Sequence, residues 1–175
     1  MYDRGITNCL LLAGLFAAWL LSACQSEQLT PRRAMLAIRL TDDPAAYDQV
    51  LIDLQQVRVR TAGAGWYDVA TYVGIYDLLA LQNGLDTLIV QDSLPPGQID
   101  EIRLILGPDN QVVIDSAAYP LKTPSAQSSG LKIKLQQTLV QDSLTTVVLD
   151  FDAGQSIVAQ GNGGFLLKPV IRVLP

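Results

Sequence analysis

The chain has 175 residues, of which 49% are apolar and 17% are charged, and this composition excludes an intrinsically disordered protein. Its net charge of −5 offers no basic surface to DNA or RNA, so we expect no nucleic-acid partner. Histidine is absent and there are only two cysteines, which removes the commonest general base, the commonest zinc ligand and a disulfide framework. We therefore expect a folded, non-catalytic protein that requires no cofactor.

The first element is an apolar segment near the start of the chain. Residues 9–21 form an apolar run of 13 residues, which is shorter than the roughly 20 residues that span a bilayer as a helix. With Arg4 before it, the run is typical of a signal peptide, although a buried helix is the alternative. The following Leu21–Cys24 resembles the lipobox of bacterial lipoproteins, which implies removal of residues 1–23 and acylation of Cys24.

The predicted lipidation indicates where in the cell the protein is located. Two or three acyl chains on one cysteine anchor a protein firmly to a membrane, so we expect the membrane itself as a partner. Gln25 follows the cysteine in place of the aspartate of a plasma-membrane retention signal, which favours an outer-membrane lipoprotein of the cell envelope. Its orientation, periplasmic or surface-facing, stays open. Residues 24–34 are polar and read as a tether to a folded domain at 35–175.

The sequence pattern of that domain is typical of an all-β protein. Short apolar-alternating runs are separated by Gly, Pro, Asn and Asp, which is the signature of strands and turns. The runs predict strands at 35–40, 50–59, 66–71, 75–82, 85–90, 98–106, 111–115, 131–135, 144–151, 156–159 and 165–173. Without a long helix, such strands predict a single two-sheet antiparallel β-sandwich.

Two of these segments depart from simple alternation. The apolar residues of 50–54 share one strand face, but those of 57–59 are out of phase with them, which predicts a β-bulge at Gln55 or Gln56. Residues 75–82 fit either a short strand or a helical turn, and we expect the strand.

Five runs read together resemble a known family. They are Leu40–Pro44, Leu94–Leu104, Gly130–Ile133, Leu149–Val158 and Leu167–Val173, and in this order they are similar to domain-of-unknown-function family 4382 of Gram-negative surface lipoproteins. The resemblance covers residues 35–175 and implies a carbohydrate-binding-like sandwich of the prealbumin-like or immunoglobulin-like kind, with Greek-key connections. The family has no established activity, so it implies no functional residues.

Carboxylates are the first candidate site. Asp150 and Asp152 lie two apart on a predicted strand and, together with Asp42, could hold Ca²⁺ through oxygen ligands. Glycosidases also use a pair of carboxylates, which leaves an Asp-based hydrolase as a minor alternative. The simpler interpretation is a solvated outer face at the end of a strand.

Aromatic and basic residues form the other candidates. Trp66 and Tyr67 follow a glycine-rich hairpin turn and could stack against a sugar ring, or else pack at a sheet edge. Lys168, Arg172 and Arg103 could form a cationic spot for an acidic sugar or phosphate, or simply cover an exposed face.

Together these features favour a lipid-anchored, non-catalytic binding module of the cell envelope, with a glycan or an envelope protein as its ligand. The alternative is a structural subunit of a surface fibre or complex that assembles by pairing of edge strands.

Overall fold

The computed structural model describes residues 32–161 and 163–174, so the predicted signal peptide and Cys24 lie outside the described residues. Strands account for most of this part of the chain. They are β1 (Ala34–Asp42), β2 (Gln49–Thr61), β3 (Gly65–Val69), β4 (Gly74–Asp77), β5 (Thr87–Leu94), β6 (Gly97–Leu106), β7 (Gln111–Ile114), β8 (Ala117–Lys122), β9 (Leu131–Leu139), β10 (Leu144–Phe151), β11 (Ile157–Ala159), β12 (Phe165–Leu167) and β13 (Ile171–Leu174). A 3₁₀ turn at Leu78–Leu81 and a one-turn helix α1 (Ala153–Ser156) interrupt them. No helix in the described ranges is long and apolar enough to cross a membrane.

The strands form two sheets. The smaller has the order β13-β10-β1-β5, and the larger has the order β11-β12-β8-β7-β2-β6-β9, with β3 and β4 also paired to β2. The predicted all-β sandwich is confirmed, but the prediction of purely antiparallel sheets is wrong. β1 pairs with β10 and β8 pairs with β12 in parallel, so both sheets are mixed. Parallel neighbours require a crossover connection, and the alternation of residues within a strand carries no information about such connections.

Apolar side chains from both sheets make one core. Among its large members, the following are at most 2% exposed: Leu36, Ile38, Ile89, Ile99, Ile102, Leu106, Leu149 and Phe151. They come from β1, β5, β6 and β10, which line the inner faces of the two sheets. Their burial away from water supplies the main force that holds the sheets together.

The bulge in β2 is confirmed. The pairing of β2 with β6 shifts register between Leu54 and Gln56, so Gln55 is the extra residue, and its side chain is exposed. Val57 and Val59 are fully buried after the shift, as the phase change in the sequence predicts. Because of the bulge, apolar residues on both sides of it, among them Ile52, Leu54, Val57 and Val59, are buried in the core.

The segment 75–82 is only partly the strand that we expected. β4 ends at Asp77, and a 3₁₀ turn follows, in which the Asp77 carboxylate accepts a hydrogen bond from the Leu79 N–H at 3.2 Å. Leu78 is fully buried in this turn. Because a capping aspartate satisfies free N–H groups at a helix start, the helical alternative describes the second half of this segment.

Two further differences between the predicted and the observed strands have causes in the local sequence. β8 was not predicted, because its side chains are mostly exposed and show no apolar alternation. The predicted strand at 165–173 is two strands, β12 and β13, which belong to different sheets. Pro169 lies between them and has no N–H to donate to a ladder.

Candidate functional site

The outer face of the larger sheet carries a cluster of charged and aromatic side chains. The turn predicted at Gly63–Gly65 joins β2 to β3, and both glycines have positive φ (86° and 88°), which glycine adopts without steric strain. The turn folds β3 back beside β2 so that Trp66 lies directly opposite Arg60.

Three guanidinium groups surround the indole of Trp66. The guanidinium carbon of Arg103 lies 4.2 Å from the centre of the ring, and those of Arg58 and Arg60 lie at 5.5 Å and 5.6 Å. These distances are within the range of cation–π attraction, which stabilises a cation over an aromatic face. The ring itself is half-buried, so part of it stays open to solvent.

Acidic side chains hold these arginines in place. The Nε of Arg58 donates to Asp68 at 2.6 Å, and the Nε of Arg60 donates to Asp100 at 2.7 Å. A guanidinium has five N–H donors, so each arginine that makes one or two such bonds retains others for a ligand. The ion pairs therefore orient the arginines without exhausting them.

Glu101 is the buried anion beneath this face. Only 2% of its side chain is exposed, and it pairs with Arg103 at 2.7 Å, with Arg60 at 3.5 Å and with Lys134. Burial alone would raise its pKa, but the hydrogen bonds and charges of Lys134 and Arg103 outweigh that effect and lower the pKa to about 2. Glu101 is therefore ionised at neutral pH and fixes three cations at the surface.

We call this surface the Trp66 face, made of Trp66, Arg58, Arg60, Arg103, Glu101 and Lys134. Its ion-pair partners Asp68 and Asp100 lie at its border, and Lys132 lies opposite Arg103 on β9. Five basic side chains thus meet three acidic ones, so the surface is locally positive in a chain whose net charge is −5. An anionic ligand is the kind that such a surface attracts.

Sequence reasoning singled out Trp66 and Arg103 but missed Arg58, Arg60 and Glu101. Trp66 and Tyr67 do not form one platform, because neighbouring residues of a strand point to opposite faces. Tyr67 packs against the core instead. A cross-strand alignment of β2 with β3 would have found Arg58 and Arg60, since both lie opposite residues of β3.

The three residues predicted to form a cationic spot do not come together in the structure. Arg103 belongs to the Trp66 face, whereas Arg172 on β13 pairs with Asp43 and, at 2.9 Å, with Asp150. Lys168 lies between β12 and β13, where its backbone N–H donates to Ser156 at 2.7 Å.

The candidate carboxylates have other partners. Asp42 accepts a hydrogen bond from the Ala153 N–H at 2.9 Å, Asp152 caps α1 by accepting from the Gln155 N–H at 2.9 Å, and Asp150 binds Arg172. All three are at least 95% buried, so the expected solvated face is wrong. Within residues 32–161 and 163–174, no three acidic, cysteine or histidine side chains converge to hold a metal ion.

Asp42 is nevertheless unusual. Burial raises its pKa to about 6, and the nearby charges of Asp150 and Asp152 act in the same direction, whereas the hydrogen bond from the Ala153 N–H opposes the shift. Its Oδ2 is buried without a hydrogen-bond partner among the described residues. The contacts of these aspartates connect β1 to α1 and β10 to β13, so their observed role is structural.

Fold and surface together define an all-β sandwich protein with a tryptophan-centred, positively charged sheet face. A family described as "Domain of unknown function (DUF4382)" matches residues 33–169, and the chain belongs to that family. Neither the curated proteins nor the solved structures provide a significant match.

Proposed function

We propose that this protein is a lipid-anchored, non-catalytic binding module of the bacterial cell envelope and that it binds an acidic carbohydrate on the Trp66 face. The observation that carries the proposal is the half-buried indole with three guanidinium carbons within 5.6 Å of its centre. The anchor at Cys24 and the outer-membrane location are supported by the lipobox in the sequence.

The two kinds of side chain recognise complementary parts of a sugar. An aromatic face packs against the apolar C–H face of a sugar ring. A guanidinium donates two parallel hydrogen bonds to a carboxylate or sulfate, and such charge-assisted bonds are about twice as strong as neutral ones. A neutral glycan would use the ring alone, whereas an acidic glycan uses both groups.

The arginines are also held in advance of binding. Asp68, Asp100 and Glu101 fix their positions, so less side-chain freedom is lost when a ligand arrives. This preorganisation favours a binding role for the face.

Isothermal titration calorimetry of the purified full-length protein with polygalacturonate and with neutral pullulan tests the glycan proposal. We expect tighter binding of polygalacturonate, and a loss of at least about tenfold in affinity for Trp66→Ala. Tyr119→Ala is the matched control, because this aromatic is 39% exposed on β8 and contacts Phe165, with ring centres 5.4 Å apart, rather than the arginines. Equal affinity of wild type and Trp66→Ala would overturn the proposal.

The anchor is tested separately. Mass spectrometry of the protein extracted from envelopes should show an acylated Cys24, and Cys24→Ser should lack the added mass and appear in the soluble fraction. An unmodified wild-type cysteine would contradict the anchoring part of the proposal and leave the glycan part to its own test.

A further inference from the structure

The two sheets are joined by backbone hydrogen bonds at one lateral margin, and a groove lies between them at the other. At the joined margin, Thr71 bridges Val90 of β5, and the Tyr72 N–H donates to the Ile89 carbonyl at 2.9 Å. At the opposite margin, β9 of the larger sheet and β13 of the smaller sheet border a groove of about 480 Å³. We call this groove the β9–β13 slot.

Backbone edges line the slot. In the described part of the chain, β9 pairs only with β6, and β13 pairs only with β10. An outermost strand presents a row of unpaired N–H and C=O groups on its free side. β9 is nine residues long, and its pairing with β6 shifts register between Lys134 and Gln137, so its free edge offers such groups on both sides of this bulge.

The side chains that line the slot form two groups, an inner apolar row and an exposed basic rim. Leu135 on β9 and Ile171 and Val173 on β13 are half-buried, pack against the core and line the slot. Lys132, Lys134 and Arg172 line it as well and are exposed. Among the described residues, Lys132 makes no ion pair, so its charge is available to a partner.

From this arrangement we infer that the β9–β13 slot binds an extended segment of a partner protein, which adds as a strand to the free edge of β9. The inward side chains of the segment are apolar and cover Leu135, Ile171 and Val173. Its outward side chains are acidic and face the lysines. Main-chain hydrogen bonds supply affinity in this mode of binding, and alternate side chains supply specificity.

Charge argues against a second copy of β9 as the occupant. Symmetric pairing of two β9 strands would gather four lysines on one face of the new ladder, and like charges on neighbouring strands are destabilising. An acidic segment removes that repulsion. The slot therefore differs from the Trp66 face in its ligand, a peptide rather than a glycan.

Fluorescence anisotropy with a labelled synthetic peptide tests the inference on the purified full-length protein. The probe is a nine-residue peptide of alternating valine and glutamate, matched in length to β9. Two control peptides replace glutamate by lysine, or carry N-methyl groups on alternate amides so that one edge cannot donate hydrogen bonds; both methylation registers are tested. We expect at least about tenfold weaker binding of the lysine peptide and of one methylated register.

Variants localise the binding. Leu135→Ser should weaken binding of the valine–glutamate peptide several-fold, with retention of the fold checked by circular dichroism. Trp66→Ala should bind this peptide as wild type does while losing polygalacturonate, so failure of the slot and failure of the glycan face are distinguishable. Absence of peptide binding, equal binding of the lysine peptide, or equal binding of both methylated registers and the parent peptide would overturn the inference.

Discussion

The guanidinium of Arg103 lies 4.2 Å from the centre of the Trp66 ring, although β2 separates their two strands in the sheet. The two side chains therefore meet over β2, whose Arg58 and Arg60 have their guanidinium carbons 5.5 Å and 5.6 Å from the same ring centre. Arg103 is in turn held by Glu101 at 2.7 Å. Trp66 on β3, Arg103 on β6 and the buried Glu101 therefore form one connected cluster.

Arg103→Gln should weaken binding of polygalacturonate about tenfold, because it removes a charge-assisted hydrogen bond while leaving the indole in place. Affinity for neutral pullulan should change little. Calorimetry measures both, and Lys122→Gln on β8 is the matched loss of one positive charge away from the face. An equal loss in the two variants would indicate a general charge effect instead of a site.

Glu101→Gln should lower the free energy of unfolding by about 2 kcal/mol at neutral pH, because it leaves three cations without their shared anion. The folded-state pKa of Glu101, about 2, lies below its ordinary value of 4.5, so its stabilising contribution is present above pH 4.5 and declines as the pH falls towards 2. Urea denaturation at several pH values measures this. The difference between variant and wild type should shrink over that interval, and a difference that is independent of pH would contradict the assignment. Asp142→Asn, an exposed acid, is the control.

Asp42→Asn should stabilise the protein near neutral pH by an amount on the order of 2 kcal/mol. Its folded-state pKa of about 6 exceeds the ordinary value of 3.8, so the buried carboxyl binds more protons in the folded state between these values, and stability falls as the pH rises through them. The advantage of asparagine should therefore be absent below about pH 4. Thermal unfolding of both proteins on either side of this interval tests the sign.

Thermal unfolding also tests whether the aspartates bind calcium. A metal that binds the folded state must raise its melting temperature. Because Asp42, Asp150 and Asp152 already accept hydrogen bonds from Ala153, Arg172 and Gln155, we expect excess calcium or a chelator to leave the melting temperature unchanged. A calcium-dependent rise that Asp42→Asn abolishes would restore the metal hypothesis for these carboxylates.

Asn110→Ala should destabilise the fold by about 2 kcal/mol. The Asn110 side chain is 1% exposed, accepts a hydrogen bond from the Asp53 N–H at 2.9 Å and donates to the Gly107 carbonyl at 2.7 Å, so it joins β2 to the loop between β6 and β7. Chemical denaturation provides the measurement, with the exposed neighbour Asp109→Ala as control. A loss no larger than that of the control would show that these bonds contribute little.

Local features of the fold were predictable from the sequence, whereas relations between distant strands were not. The bulge at Gln55 was predictable because a change of phase is visible within one strand. The burial of Glu101 was not, because its partners Arg60 and Lys134 come from strands whose pairing no local pattern specifies. For the same reason, the sequence indicated an aromatic site at Trp66 without its surrounding arginines.

The most direct test of the proposed function is the fluorescence of Trp66 itself. Of the two tryptophans in the chain, Trp19 lies in the segment 1–23 that the proposed lipoprotein processing removes, so Trp66 is the sole tryptophan of the mature protein. Titration with polygalacturonate should change this fluorescence to saturation, with an apparent Kd that increases with salt because screening weakens the arginine contacts. Neutral pullulan should produce a much weaker response. An unchanged signal with polygalacturonate, or identical responses to both polymers at all salt concentrations, would contradict an acidic-carbohydrate site on the Trp66 face.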